Sequence, residues 1–340
     1  MRRSHAILWC AALVTSCRAQ VQPGPLVVWS FAEGAQSGLF TNVAAGFSSA
    51  LALRIDGAVI SWGYPDLPSL PPGQSVIGLS VGFDHNCILR SDGTVYCWGY
   101  NGFGQCNPPP GRFTKISAGE RFNVAIREDG TLAAWGAGHA PPAGAYKDVW
   151  CGKDWNLAQR LDGTLVAWGF NQFGVVSGVP TYPVLTASAA PEYLGMAVRL
   201  DGSIVHWGCG CEVNTNIPAG PFVAVFAGAN SAVALRADGT AVGWGGNIAG
   251  QAIAPPARFR MLDKGIGLGI GIAACYANCD GSTAPPFLNI NDFVCFLNYF
   301  AGGGAGEQYA NCDASTTPPV LNVNDFVCFL NRFSAGCTAP

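Results

Sequence analysis

Histidine, methionine and charge are all scarce in this sequence. The chain of 340 residues holds four His and three Met, and only 11% of its residues are charged. It has no basic run, and its formal net charge is −3. Affinity for nucleic acid rests largely on neutralising phosphates, so DNA and RNA are not expected partners. His5, His85, His139 and His206 fall at unrelated places along the chain. No nucleophile elbow, His-Glu-x-x-His pair or phosphate loop occurs, so no catalytic constellation is seen and the chain does not read as an enzyme. Beyond the N-terminus no stretch approaches the ~18 apolar residues that a spanning helix needs.

Glycine, proline and apolar residues fill the space: 45 Gly, 23 Pro and 49% hydrophobic. That mix suits many short strands joined by tight turns. Arg2 and Arg3 precede a short apolar run, Ile7 to Val14, and Cys17-Arg18-Ala19 offers a cleavage site before Gln20. Residues 1–19 therefore read as a signal peptide; a lipoprotein reading through Cys17 fits less well. Twelve of the 14 Cys lie beyond Ala19. An even, high count after an export signal points to disulfides and to a secreted, cell-surface or periplasmic location.

A repeat dominates residues 20–273. Asp-Gly pairs begin at Asp56, Asp92, Asp129, Asp162, Asp201 and Asp238, spaced by 36, 37, 33, 39 and 37 residues. Each Asp follows an Arg by two positions (Arg54, Arg90, Arg127, Arg160, Arg199, Arg236). Each precedes a Trp-Gly by six (Trp62, Trp98, Trp135, Trp168, Trp207, Trp244). Two β-type runs around Asp-Gly make a hairpin, because Gly accepts the positive φ of the turn. Pro-rich stretches such as Asn107 to Gly111 separate the units; Pro cannot join a central ladder, so these are crossings between sheets. A period of ~35–50 residues with about four short strands per unit predicts a β-propeller. Pro25 to Ser30 reads as the last strand of a unit, and Phe259 to Ile272 as the first half of one. Joined, they make a seventh blade and leave no open edge. The turn Asp and the repeat Trp read as turn chemistry and core, and the repeat Arg as packing over Trp or bonding backbone.

The segments His85 to Cys106 and Ser231 to Gln251 carry a close resemblance to the regulator of chromosome condensation repeat family, in its secreted bacterial form. The resemblance implies an all-β, seven-bladed propeller over roughly Leu26 to Ala273, and a role in binding. Eukaryotic members exchange nucleotide on a nuclear GTPase; an export signal and an acidic balance speak against that here.

From Cys275 two segments align, residues 275–300 and 308–333, each a polar loop, then Leu-Asn-x-Asn-Asp, then a short helix with Phe at helical spacing. This duplicated loop–helix resembles a dockerin, so residues 275–337 are expected to form a small, mostly α module. The resemblance implies calcium as a cofactor, held by Asn278, Asp280, Asn289 and Asp292, and by Asn311, Asp313, Asn322 and Asp325. It also implies a cohesin-like or envelope partner. Tyr276 and Tyr309 stand where the first ligand is expected, and a Pro-Pro pair interrupts each loop, so disulfides replacing the metal stay an open alternative. The expected bonds are Cys275–Cys337, Cys279–Cys295 and Cys312–Cys328, with Cys87–Cys97 across one hairpin. Cys106, Cys151, Cys209 and Cys211 have no assigned pairing.

Positions that vary between repeats are the candidates for ligand contact. The short loop before the first strand of each repeat unit holds Phe47; Phe83, Asp84 and His85; Glu120, Arg121 and Phe122; Lys153, Asp154 and Trp155; and Glu192 and Tyr193. By repeat equivalence they share one face, with the mix of aromatics and charges that recognition surfaces use. Loops after Trp-Gly (Tyr100, Phe103, Phe170, Phe173) are expected on a second face. The resulting expectation is an exported binding propeller for a protein or glycan, tethered by its tail. The alternatives are a carbohydrate-active enzyme using two of Asp84, Glu120, Asp154 and Glu192, or a purely structural envelope protein.

Overall fold

A computed structural model describes residues 24–30, 38–70, 75–208, 216–247, 252–255, 257–265 and 268–273, with residues 293, 297, 326, 327, 329 and 330 near the C-terminus. The expected signal peptide, the eight calcium candidates and the three disulfides expected beyond residue 274 lie outside the described residues.

Among the described residues twenty-one strands follow one another along the propeller. Blade one is β2 (Leu39–Ala45), β3 (Ser49–Arg54) and β4 (Val59–Gly63). Blade two is β5 (Val76–Val81), β6 (His85–Arg90) and β7 (Val95–Gly99). Blade three is β8 (Phe113–Ala118), β9 (Phe122–Arg127) and β10 (Leu132–Gly136). Blade four is β11 (Tyr146–Cys151), β12 (Trp155–Arg160) and β13 (Leu165–Gly169). Blade five is β14 (Val184–Ala190), β15 (Leu194–Arg199) and β16 (Ile204–Gly208). Blade six is β17 (Ala224–Ala227), β18 (Ser231–Leu235) and β19 (Ala241–Gly245). Blade seven joins β20 (Phe259–Lys264) and β21 (Leu268–Ala273) to β1 (Gly24–Ser30). There β1 runs antiparallel to β21, from Leu26 opposite Ile272 to Ser30 opposite Leu268. It also touches β2 through Gly24 and Pro25, so blades seven and one form one continuous sheet.

Each blade therefore has three strands among the described residues, not the four expected. The Pro-rich connectors add no fourth strand there, because Pro lacks the N–H a ladder needs. The hairpin turns are alike in all six Asp-Gly units. The Gly N–H donates to the Arg carbonyl at 2.9–3.0 Å, and the Gly φ lies between 81° and 90°. The Asp carboxylate then accepts from the backbone N–H two residues on, and in five of the six also from a Thr or Ser hydroxyl there.

The core sits between neighbouring blades. Leu89, Val95 and the Cys87–Cys97 disulfide of blade two pack on Phe113, Ala125 and Trp135 of blade three. Phe122, Val124 and Ile126 of blade three pack on Tyr146, Val149 and Trp168 of blade four. Five of the repeat Trp are buried, and Trp62 is partly so. The repeat Arg do not cover those Trp. Arg90 lies over Tyr96, Arg127 over Phe113, Arg199 over Tyr182 and Arg236 over Phe222, at 5.1–5.6 Å, and Arg54 pairs with Asp56. The Arg leaves the second strand at the turn end, whereas the Trp sits at the far end of the third strand. The guanidinium therefore meets whichever ring lies beside the turn.

Of the tail, Phe293 and Leu297, and Phe326, Val327, Phe329 and Leu330, have helical backbone. Phe293 of the first segment lies 6.1 Å from Phe326 and 6.3 Å from Phe329 of the second.

Candidate functional site

The first strand of every blade lines a central channel of about 760 Å³. These strands carry a hydrogen-bonded clamp. At its penultimate strand position, Ser80 accepts from the N–H of Ala118 in the next blade (2.8 Å), and Ser117 from Cys151 (3.0 Å). Ser188 accepts from Ala227 (3.0 Å), and Asp263 from Ala45 (2.8 Å). The last bond ties blade seven to blade one, across the chain ends. Deeper in the channel, Lys115 of blade three and Asp148 of blade four form an ion pair.

The loops between first and second strands ring the mouth of this channel, where Phe47, Phe83, Glu120, Lys153 and Glu192 line it. Phe47 stacks on Phe83 with ring centroids 3.8 Å apart. Glu120 is flanked by Arg121 (3.4 Å) and, across the next blade, Lys153 (4.0 Å). Tyr193 donates from its hydroxyl to Asp154 at 3.2 Å.

Three of the candidate contact residues point inward instead. His85, Phe122 and Trp155 are the first residues of second strands and are buried. Strand alternation turns that position into the space between blades. His85 Nε2 meets Asn123 Oδ1 at 2.9 Å, and the Trp155 indole donates to the Ala190 carbonyl at 3.2 Å. Desolvation by burial holds His85 below its ordinary value, opposed by the Asn123 bond and by Asp84.

The loops after Trp-Gly lie on the same face, not a second one. Tyr100 N–H donates to the Asp84 carbonyl, Phe170 N–H to Asp154 and Ala137 N–H to Arg121, at 2.8–3.0 Å. The third strand ends beside the loop that opens the second strand, so both loop sets must share a rim. Asn101 and Asn171 hold these outer loops, each side chain accepting backbone N–H groups five residues on at 2.8 Å. The loop carbonyls of Gln105 and Val175 then receive the indole N–H of Trp135 and Trp207 from the next blade. The recurring Trp-Gly-x-Asn spacing is the sequence signal for this arrangement.

Phe103, Tyr100, Phe83, Asp84, Glu120 and Arg121 line a cleft of about 250 Å³ between blades two and three. The Arg121 guanidinium sits 5.0 Å from the centre of the Phe103 ring. The four face carboxylates were candidates for a hydrolytic pair. Asp84 and Glu120 do share this cleft, but two cations flank Glu120. That is the opposite of the apolar pocket in which a glycosidase keeps its proton-donating carboxyl. Cys106 and Cys151 are free thiols among the described residues, and burial pushes Cys106 up to about 11 and Cys151 up to about 12, which favours the protonated thiol. Among the described residues no group of three His, Cys, Asp or Glu could hold a metal, and no helix is long and apolar enough to cross a membrane.

Two stretches, residues 76–105 and 222–251, match the family description Regulator of chromosome condensation (RCC1) repeat. A search of curated protein sequences finds no match. Among solved structures, Prp20p from Saccharomyces cerevisiae, characterised for binding Gsp1p and histones, is similar at 18% identity. It covers 75% of this chain and 92% of its own, with a TM-score of 0.61. The same yeast protein bound to Kap60 gives 18% identity, 81% and 95% coverage and a TM-score of 0.62. The ectodomain of the Arabidopsis thaliana receptor kinase ACR4 gives 21%, 69% and 93%, and 0.60. At these identities the likeness establishes the propeller fold.

Proposed function

We propose that this chain is a binding propeller whose protein partner seats on the loop face around the channel mouth. One observation carries the reading. Six exposed rings (Phe47, Tyr64, Tyr100, Phe103, Phe170 and Phe173) gather on that face, interleaved with charged side chains. On the opposite rim the exposed apolar residues Ile55, Leu161 and Leu200 sit one per turn, with a single exposed ring, Tyr182, against Arg199. Scattered single residues are ordinary surface, whereas clustered aromatics mark contact surfaces. The likeness to Prp20p, a protein that binds Gsp1p and histones, supports a protein as ligand.

The test compares two baits in affinity capture: Phe47→Ser with Tyr100→Ser on the loop face, and Leu161→Ser with Leu200→Ser on the turn face. The reading expects the first pair to lose a protein that wild type retains, and the second to keep it. Loss from the turn-face bait alone would reject it. Retention on a glycan array, abolished by the same loop-face changes, would move the ligand class from protein to carbohydrate.

Export and tethering complete the proposal. The N-terminal Arg pair with its apolar run supports export, and the duplicated segments at residues 275–300 and 308–333 support a dockerin-like tether. Deleting residues 275–340 should release the protein from the cell surface. Unchanged attachment would remove the tether. Calorimetry with calcium on the full chain and on the deletion separates a metal-held tail from a disulfide-held one.

A further inference from the structure

Resting on the binding role proposed above, we infer that the cleft between blades two and three is a cation cage that takes a lysine or arginine side chain of the protein partner. Three rings, Phe83, Tyr100 and Phe103, and two carboxylates, Asp84 and Glu120, converge on its roughly 250 Å³. The faces of aromatic rings attract cations, and carboxylates beside them add directional charge. The cleft already holds a cation of the chain's own, the Arg121 guanidinium over Phe103 at 5.0 Å. Arg121 and Lys153 both engage Glu120, while Asp84 forms no ion pair among the described residues. One carboxylate of the cage is thus left for an incoming charge.

The repeat supplies an internal comparison. Two blades further round, Asp154, Phe170, Phe173, Glu192 and Tyr193 occupy the positions of Asp84, Tyr100, Phe103, Glu120 and Arg121. There the place of Arg121 is taken by Tyr193, whose ring lies 5.9 Å from Phe170 and 6.3 Å from Phe173 and whose hydroxyl bonds Asp154. A neutral side chain fills the second site and bonds Asp154, and Lys153 stands there where the first cleft has Phe83. In the first, a half-exposed guanidinium rests on one ring and beside Glu120, on a long stem with room to swing out into solvent. The first cleft is therefore the one built to exchange one cation for another.

The probe is a fluorescent peptide of alternating Gly and Arg, read by anisotropy on the full chain at low salt, with an alternating Gly–Glu peptide as control. Wild type is expected to bind the Arg peptide and not the Glu peptide. Asp84→Asn and Tyr100→Leu should each weaken binding by about five- to ten-fold, the scale of one desolvated cation–ring or charge contact. Leu161→Ser, on the turn face, should change it less than two-fold. Arg121→Gln removes the internal competitor, and Lys147→Gln removes the same charge at an exposed strand position that does not line the cleft. Both should tighten binding, Arg121→Gln by at least about three-fold more. Equal gains would mean that net charge alone acts, and would overturn the cage. So would unchanged binding in Asp84→Asn and Tyr100→Leu. If those two variants bind the Arg peptide normally yet the loop-face bait still loses its partner, the cage fails and the binding face stands.

Discussion

At the level of single residues, the six Asp-Gly turns are where sequence and geometry agree most closely. The positive φ of the Gly can be tested without touching any contact at Gly57, where an added Cβ would meet nothing within 4 Å. Gly57→Ala should cost about 1 kcal/mol, the backbone term alone. At Gly202 the same methyl would sit 2.7 Å from the Pro221 Cα, so Gly202→Ala should cost clearly more in denaturant unfolding. The turn carboxylates of Asp92, Asp129, Asp162 and Asp201 are held below the usual range by the Thr or Ser hydroxyl and then by its N–H. A depressed folded value means that the folded state favours the ionised form. Stability from these groups is thus present above the ordinary carboxylate range and lost as pH falls through the lowered values. Thr164→Val, which removes one such hydroxyl, should move the acid unfolding midpoint to higher pH. His85 adds a loss of the same sign that begins below its ordinary value of 6.5, because its buried ring resists protonation. Which side chains of a loop turn inward was not legible from repeat equivalence alone. His85, Phe122 and Trp155 follow their loops in sequence but open their strands in space, and one residue of register decides the side.

At the level of elements, hairpins and the two half-blades were readable because Asp-Gly and Trp-Gly mark strand ends within a few residues. The missing fourth strand was not, since a Pro-rich stretch says only that no ladder forms. The inter-blade clamp was equally hidden. Ser80, Ser117, Ser188 and Asp263 are small or polar residues that nothing in their own strands singles out, and only the ring brings each to the next blade's N–H. Ser80→Ala leaves the buried Ala118 N–H without its partner and should cost about 1–2 kcal/mol. The Cys87–Cys97 bond closes a short loop, 10 residues apart in sequence, inside one hairpin. Replacing both by Ala should cost about 2–3 kcal/mol, measured against the oxidised protein.

At the level of the whole molecule, the ring is closed by strands from opposite ends of the propeller, and the two loop sets fall on one rim. Closure was legible from the unmatched half-units. The shared rim was not, because the loops it joins lie about fifteen residues apart in sequence and meet only when the third strand returns beside the second. A chain beginning at residue 38 lacks β1 and exposes the edge of β21. It should unfold in more than one step and self-associate, whereas the chain from residue 20 should unfold in a single transition. The binding role depends on this rim more than on any single side chain. The most direct measurement places a photo-crosslinking phenylalanine analogue at Phe103, Phe173, Leu161 or Leu200 in turn and irradiates each protein among its native partners. The account predicts a discrete protein adduct from Phe103 and Phe173 and none from Leu161 or Leu200. Adducts from the turn positions with none from the rings would contradict it.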